Sequence, residues 1–494
     1  PLVDSQSLTA LVQCFRSVSK TISSFESLLP RLQSLVNPKL PAHNVAVVAK
    51  CIASMAVAAE GAARADYIKK ALLEVKQDKE HMQQLALLSL GGIGKELDLK
   101  GQKNLFDIIL ESFQSESQSV KYSASYALGN ITAGNLSNYI GKLLKLLDTH
   151  AKYTYLLLRA VREVVGCYYD RQSQIAPFSP EIFKALVAHT DSEEDAVRGE
   201  VAECLGGLAR IEPQKTLQFL EQSLESKAAF TRSVAVGALR YAIEPKTEKV
   251  IASKLGKFLQ MMKDGELEVR RQAVLSFTAL LKGTQLMNSS QNSTIMRDVV
   301  VPVLYTECRP NEKYIRIIDA GQIKFREDDH LPLRSAAFEA LGTIVDVCPY
   351  RLNMKDFYEF TMQGVLDTDE NIVLATWEMY FRISQNQDLQ ASMKELAGGS
   401  SRDAIEGKTS LPMHKILMKF VMKKMGKVKE TNASREKDQA RECLKKALLT
   451  VFKMLETPGM DQCKDFVHLV DRVKNTKSIG NEVKEALKML QQLD

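Results

Sequence analysis

One helical pattern recurs along this chain, and its period constrains the fold more than any other feature. A basic or polar residue is followed at +4 and +7 by small or apolar residues. Copies are Lys121, Ser125, Leu128; Arg198, Ala202, Leu205; Arg232, Val236, Leu239; Arg270, Val274, Phe277; and Arg334, Phe338, Leu341. Weaker copies begin at Gln83 and Val373. The starts at 198, 232 and 270 are 34 and 38 residues apart, and those at 83 and 121 are again 38 apart. From 121 to 198 is 77, two periods, with the intervening copy falling in YTYLLLRAVREVV, residues 153–165.

Spacings of +3, +4 and +7 put side chains on one face of a helix. A repeat of 34–40 residues is too long for one helix and suits two antiparallel helices with their turns. These features predict an all-α chain, a HEAT/armadillo-type α-solenoid of about ten helical-hairpin repeats. One hairpin of helices cannot bury its apolar face, so stability comes from stacking on neighbours. Ala124, Ala127 and Gly129, or Ala202, Gly206 and Gly207, are small enough to let the next helix approach. The outer helices are expected near Asn104–Phe113, Pro180–His189, Gln214–Leu224 and Ile251–Met262. Asp191, Asp264 and Asp367 fall in turns before inner helices, where a short polar side chain can cap free backbone donors.

Composition agrees with this reading. Of 494 residues, 14 are Pro and 25 Gly, with one Trp, which fits helices better than a β-sandwich. No stretch reaches about 20 consecutive apolar residues, so no membrane-spanning helix is expected, and a membrane is not the expected partner. No basic-then-apolar leader opens the chain, and the eight cysteines are scattered without a CxxC, which reads as a reducing compartment. The net charge of +6 is local: residues 401–450 hold 13 Lys+Arg against 6 Asp+Glu. A nucleic-acid binder carries a broader basic stripe, so none is expected as partner.

The period breaks twice. Between the copies at 270 and 334 lie 64 residues, about 26 more than a repeat. Within them, Tyr314–Ile318 and Gln322–Arg326 are rich in β-branched and aromatic residues, with turn chemistry at Asp319-Ala320-Gly321. An inserted β-hairpin is predicted. It is either a packing accessory or a probe aimed at a partner. The second break is Gln385–Pro412, read as a flexible loop, followed by a basic helix Lys415–Lys429. There Lys415, Lys419 and Lys423 share a face, with Ile416, Phe420 and Met425 as a candidate apolar face. A solvated face, a surface for an acidic partner and an amphipathic membrane or calmodulin-type segment all remain open. The resulting divisions are 1–311 (solenoid), 312–332 (hairpin), 333–384 (solenoid), 385–412 (loop) and 413–494 (C-terminal repeats).

Catalytic chemistry finds little footing. None of the seven histidines forms a metal-binding spacing, so neither cofactor nor metal is expected. Gly91-Gly92-Ile93-Gly94-Lys95 lacks the upstream Gly and the following Ser/Thr of a phosphate loop and reads as helix packing. The carboxylates of Asp191–Asp195 read as a capping turn. The chain is expected not to be an enzyme. A transport-type or phosphatase-scaffold HEAT protein is the alternative within the same solenoid class.

Several segments resemble the C-terminal half of the cullin-associated, neddylation-dissociated family. They are LALLSLGGIGKELDL (85–99), VKYSASYALGNITAGNL (120–136), YLLLRAVREVV (155–165), VAECLGGLARIEP (201–213), VLYTECRPNEKYIRIIDAGQIKF (303–325) and LRSAAFEALGTIVDVC (333–348). The match runs in order from about 80 to 384, with the insertion in the same place. The resemblance implies a non-enzymatic regulator of cullin–RING ubiquitin ligases, cytoplasmic and nuclear, that binds the N-terminal region of an unneddylated cullin. Its hairpin would occupy the substrate-adaptor site, so regulator and adaptor exclude one another and substrate-receptor modules exchange. Carried onto this chain, the contact residues are Tyr314, Ile315, Arg316, Ile317, Lys324, Phe325 and Arg326. Family members are longer. The chain is then a fragment, or one half whose complementary N-terminal half is a separate chain.

Overall fold

The computed structural model describes residues 5–19, 22–59, 61–319, 321, 324–394, 416, 419, 420, 423, 424, 434–476 and 480–492. They form two compact units, 1–242 and 243–494, each a stack of helical hairpins. The division at 242/243 falls inside the span 1–311.

In the first unit, Ser5–Val18, Ala42–Ala58, Glu80–Glu96, Gln118–Gly134, Thr154–Gly166, Asp195–Ile211 and Ala229–Ala238 pack each on the next as an inner row. Gly61–Glu74, Leu105–Glu111, Leu136–Thr149, Ser179–Val187 and Pro213–Ser223 flank them as the outer row. In the second unit the inner row is Leu267–Gly283, Leu331–Val347, Glu370–Gln385, Ser434–Glu456 and Gly480–Gln491. The all-α solenoid with one inserted hairpin is therefore the observed architecture. Thr154–Gly166 occupies the place where the pattern was too faint to assign a starting residue.

Several inner helices start in the same local way. Three residues before the helix, a short polar side chain accepts the backbone N–H two residues on. Ser115, Ser192, Ser226, Asp264 and Asp367 all do this, at 2.9–3.3 Å. Such turns hold the chain in the bend that an inner helix leaves from. Asp264 and Asp367 thus sit in the turns as expected, each accepting a free backbone N–H just ahead of its helix, while before Asp195–Ile211 the accepting side chain is Ser192 rather than Asp191.

The recurrent basic residue, three positions into the inner helix, completes the bend. Arg198 Nη1 donates to the carbonyls of Ser192 and Glu193, both at 2.8 Å. Arg232 does the same to Ser226 and Lys227 at 2.9 and 3.2 Å, and Arg270 to Asp264 and Gly265 at 2.9 and 3.3 Å. The guanidinium satisfies carbonyls that the turn leaves without helical partners.

Close approach between inner helices depends on glycine. A Cβ on Gly134 would lie 1.8 Å from the Gly94 carbonyl oxygen, and one on Gly206 would lie 2.5 Å from that of Ala238. The phosphate-loop lookalike is part of this packing: it lies within Glu80–Glu96, where a Cβ on Gly94 would meet Ile131 at 2.4 Å. Gly134→Ala has no flexible neighbour to displace and is expected to cost about 3 kcal/mol. Gly141→Ala, inside Leu136–Thr149 with nothing within 4 Å, is expected to gain about 0.5–1 kcal/mol from helix propensity alone. Chemical denaturation of the two variants checks the contrast.

Among the described residues, no helix is long and apolar enough to cross a membrane, and no group of three His, Cys, Asp or Glu is placed to hold a metal ion. All eight cysteines are free. The loop read at 385–412 begins later than expected. Glu370–Gln385 is helical to its end and a further turn spans Gln387–Gln390, while 395–412 lies outside the described residues.

Candidate functional site

The β-hairpin occupies the place the sequence assigns to it, with shifted bounds. Strand β1 is Ile315–Asp319 and β2 is Lys324–Asp328, antiparallel, with Ile315 opposite Asp328, Ile317 opposite Arg326 and Ile318 opposite Phe325. At the tip, Gly321 has φ +86° and donates its N–H to Asp319 Oδ1 at 3.0 Å. Glycine takes that conformation without the cost a side chain brings.

Tyr314 is a correction. It ends a single helical turn, Glu312–Tyr314, outside the strand, and its ring stacks on His330 with centroids 5.8 Å apart. His330 is buried, with Nε2 2.7 Å from Glu307 Oε2, and Glu307 also pairs with Arg270 Nε at 3.0 Å. Tyr314 therefore belongs to the hairpin's root. Its carbonyl accepts the Asp329 N–H at 3.0 Å, closing the root below the strands.

Further out, the side chains face water. Ile317 is 73% exposed and Ile318 44%, an unusual display for β-branched residues in a two-stranded element. Arg316 donates to Asp329 and lies near Glu327 (2.7 and 3.1 Å), and Arg326 pairs with Glu312 at 3.3 Å. The Arg316 hydrogen bond holds the Asp329 carboxyl below its ordinary value and raises the guanidinium in return. These exposed pairs are screened by solvent and contribute little to stability. Lys324 is exposed beside Asp319 at 4.0 Å, and Ile315 is half-buried near the root. The side chain of Phe325 lies outside the described residues. Of the candidate contacts, the structure thus brings Arg316, Ile317, Lys324 and Arg326 to the exposed part of the hairpin, together with Ile318, which the candidate set omitted.

Ile318 was legible in principle. Alternation along β1 puts Ile315 and Ile317 on one face, but a free-standing ribbon exposes both faces, so the even position counts as well.

The basic segment after the loop is described only in part. Ile416 and Phe420 are buried, the latter 5.4 Å from the Trp377 ring, while Lys419 is exposed. Lys424 is buried in an ion pair with Glu370. Two of the three candidate apolar residues are therefore core. Lys415 and Met425 lie outside the described residues.

Comparison with known proteins bears on the hairpin region directly. Residues 292–474 match the TIP120 family, described as TATA-binding protein interacting (TIP20). A relative from Arabidopsis thaliana, named cullin-associated NEDD8-dissociated protein 1, is 36% identical over 389 residues, covering 74% of this chain and 31% of the relative. The chain belongs to the cullin-associated, neddylation-dissociated family. The member of that family from Dictyostelium discoideum is 28% identical over 437 residues, covering 87% of this chain and 33% of its own length. A relative from Emericella nidulans, 24% identical over 268 residues and named as a C-terminal part, covers 53% of this chain and is itself covered to 25%. The chain thus spans about one third of the length of these full-length family members. Among solved structures, yeast importin-beta superposes with a TM-score of 0.54 at 12% identity, covering 98% of this chain and 62% of that one, which establishes the fold alone.

Proposed function

We propose that this chain is a non-enzymatic regulator of cullin–RING ubiquitin ligases. It binds the N-terminal region of an unneddylated cullin and places its hairpin where a substrate adaptor docks. Mutual exclusion then promotes exchange of substrate-receptor modules. The observation that carries this reading is the exposed Ile317–Ile318 pair on a rooted hairpin, inside the segment that matches the family. Ordered apolar side chains beside arginine are the composition of interface hot spots, and exposing them in a marginal two-stranded element makes sense only if something covers them. The family's names supply the partner's identity. Cytoplasm and nucleus are the compartments of such a regulator. A complementary N-terminal half, on a separate chain, would supply the repeats that the longer relatives carry.

The test is capture of a purified unneddylated cullin by this chain, with and without saturating adaptor. Capture lost on adding adaptor supports the reading. Capture unaffected by adaptor contradicts the placement of the hairpin. No capture, even with the N-terminal repeats of a full-length relative added in trans, contradicts the function.

A further inference from the structure

At the hairpin the repeat rule is kept in form and changed in chemistry. Asp328, the last residue of β2, stands three residues before the inner helix Leu331–Val347. Its Oδ1 accepts the His330 N–H at 3.0 Å, the same turn that Ser192, Ser226 and Asp264 make before their helices. Arg334 then occupies the position of Arg198, Arg232 and Arg270. Those three donate to turn carbonyls. Arg334 Nη1 donates instead to the carboxylate Oδ2 of Asp328 at 2.7 Å, and Nη2 to Asp367 Oδ1 at 3.2 Å. Arg334 is 1% exposed and the Asp367 side chain 2%. Asp367 is itself the turn residue of the following repeat.

We propose that the Asp328–Arg334 pair is a positioning device: it ties the C-terminal end of the hairpin to the buried frame of two successive repeats and holds the exposed tip in one stance for its partner. A two-stranded ribbon alone is marginal and would sample many orientations. A charge-assisted bond from the strand's last residue to a buried arginine removes that freedom before binding, so the partner need not order the hairpin. The N-terminal end is held separately, by Tyr314 on His330. Asp328 is the turn residue that also ends a strand, and its second carboxylate oxygen gives Arg334 a partner that the serines at 192 and 226 do not offer their arginines. As regards the partner, this rests on the function proposed above. The stance of the hairpin does not.

Asp328→Ser tests it. Serine keeps the turn acceptor, and Ser192 and Ser226 show that a serine turn still offers the arginine its carbonyls. The variant is measured beside Asp328→Glu and beside Ile317→Asp, which alters the tip and leaves the root intact. The expected result for D328S is amide exchange in 315–319 and 324–328 accelerated about tenfold or more, with protection of Leu331–Val347 retained. Affinity for an unneddylated cullin should fall about tenfold, with the glutamate variant recovering part of both effects. Unchanged hairpin exchange in D328S, or unchanged binding while I317D abolishes it, overturns the positioning role. If I317D binds like the unaltered chain, the hairpin is not the contact, and the claim about the partner falls with that reading. In that case faster hairpin exchange in D328S would still establish the stance, and unchanged exchange would remove it.

Discussion

Ile317→Asp is expected to weaken binding to the cullin N-terminal region by at least about 30-fold, roughly 2 kcal/mol, the scale of an interface hot spot. Ile317 is 73% exposed, so the unbound protein loses no buried contact when it is replaced. Its cross-strand neighbour is Arg326, so the added carboxylate meets a guanidinium rather than another acid. Melting should therefore shift by no more than about 0.5 kcal/mol. In the partner groove the same substitution would desolvate a charge where an apolar side chain is meant to dock. Tyr314→Ala is a poorer probe of the same contact, because the ring is packed on His330 and its removal disturbs the root. Titration calorimetry against the cullin fragment, beside a thermal melt, separates the two effects.

Arg334→Met is expected to act in the opposite way, costing about 3–5 kcal/mol of stability in the second unit. The arginine is almost wholly buried and satisfies carboxylates on two sides, one ending the hairpin and one in the next turn. Methionine fills a similar volume and leaves Asp367 buried with its own backbone bond to the Asp369 N–H and no counter-charge. Arg334→Met with Asp367→Asn should recover part of the loss, since the stranded charge goes with it. Denaturant unfolding of both variants gives the difference. A loss below about 1 kcal/mol in the single variant would mean that water reaches the pair and that the arginine is not a structural centre.

The stacked helices were legible because their signal is periodic and repeated. The +4 and +7 positions are the ones that face the neighbouring helix, so every copy repeats the same demand, and Arg198, Arg232, Arg270 and Arg334 stand out in one column. What the arginine does was not legible. At Arg198, Arg232 and Arg270 its partners are backbone carbonyls five and six residues earlier, and a carbonyl leaves no trace in residue type. The companion signal, Ser or Asp six residues before Arg, was present at 192, 226, 264 and 328, but at Asp328 it was hidden under the strand. The hairpin's existence was plain from the loss of helical period. Its bounds were not. Tyr314 has high β-propensity, yet the neighbouring Asn311 side chain accepts the Lys313 N–H and turns the chain into a helical turn first. β-Propensity reports fit to a half-buried sheet, and a two-stranded ribbon provides little of one. Among the candidate contacts the exposure of Ile317 could be read from alternation, while the packing of Tyr314 depended on His330, a partner sixteen residues away. In the basic segment, Phe420 had an amphipathic pattern that suits a partner and a core equally. Only the position of Trp377 decides for the core.

The most direct measurement is a photo-crosslink from position 317. A photoreactive side chain there, in the otherwise unaltered chain, is irradiated with purified unneddylated cullin and the joined peptides are identified. The result expected is a crosslink confined to the adaptor-docking surface of the cullin N-terminal region and lost when adaptor is present. A crosslink elsewhere on the cullin, or one that adaptor leaves unchanged, would contradict the assignment of the hairpin as the element that excludes the adaptor.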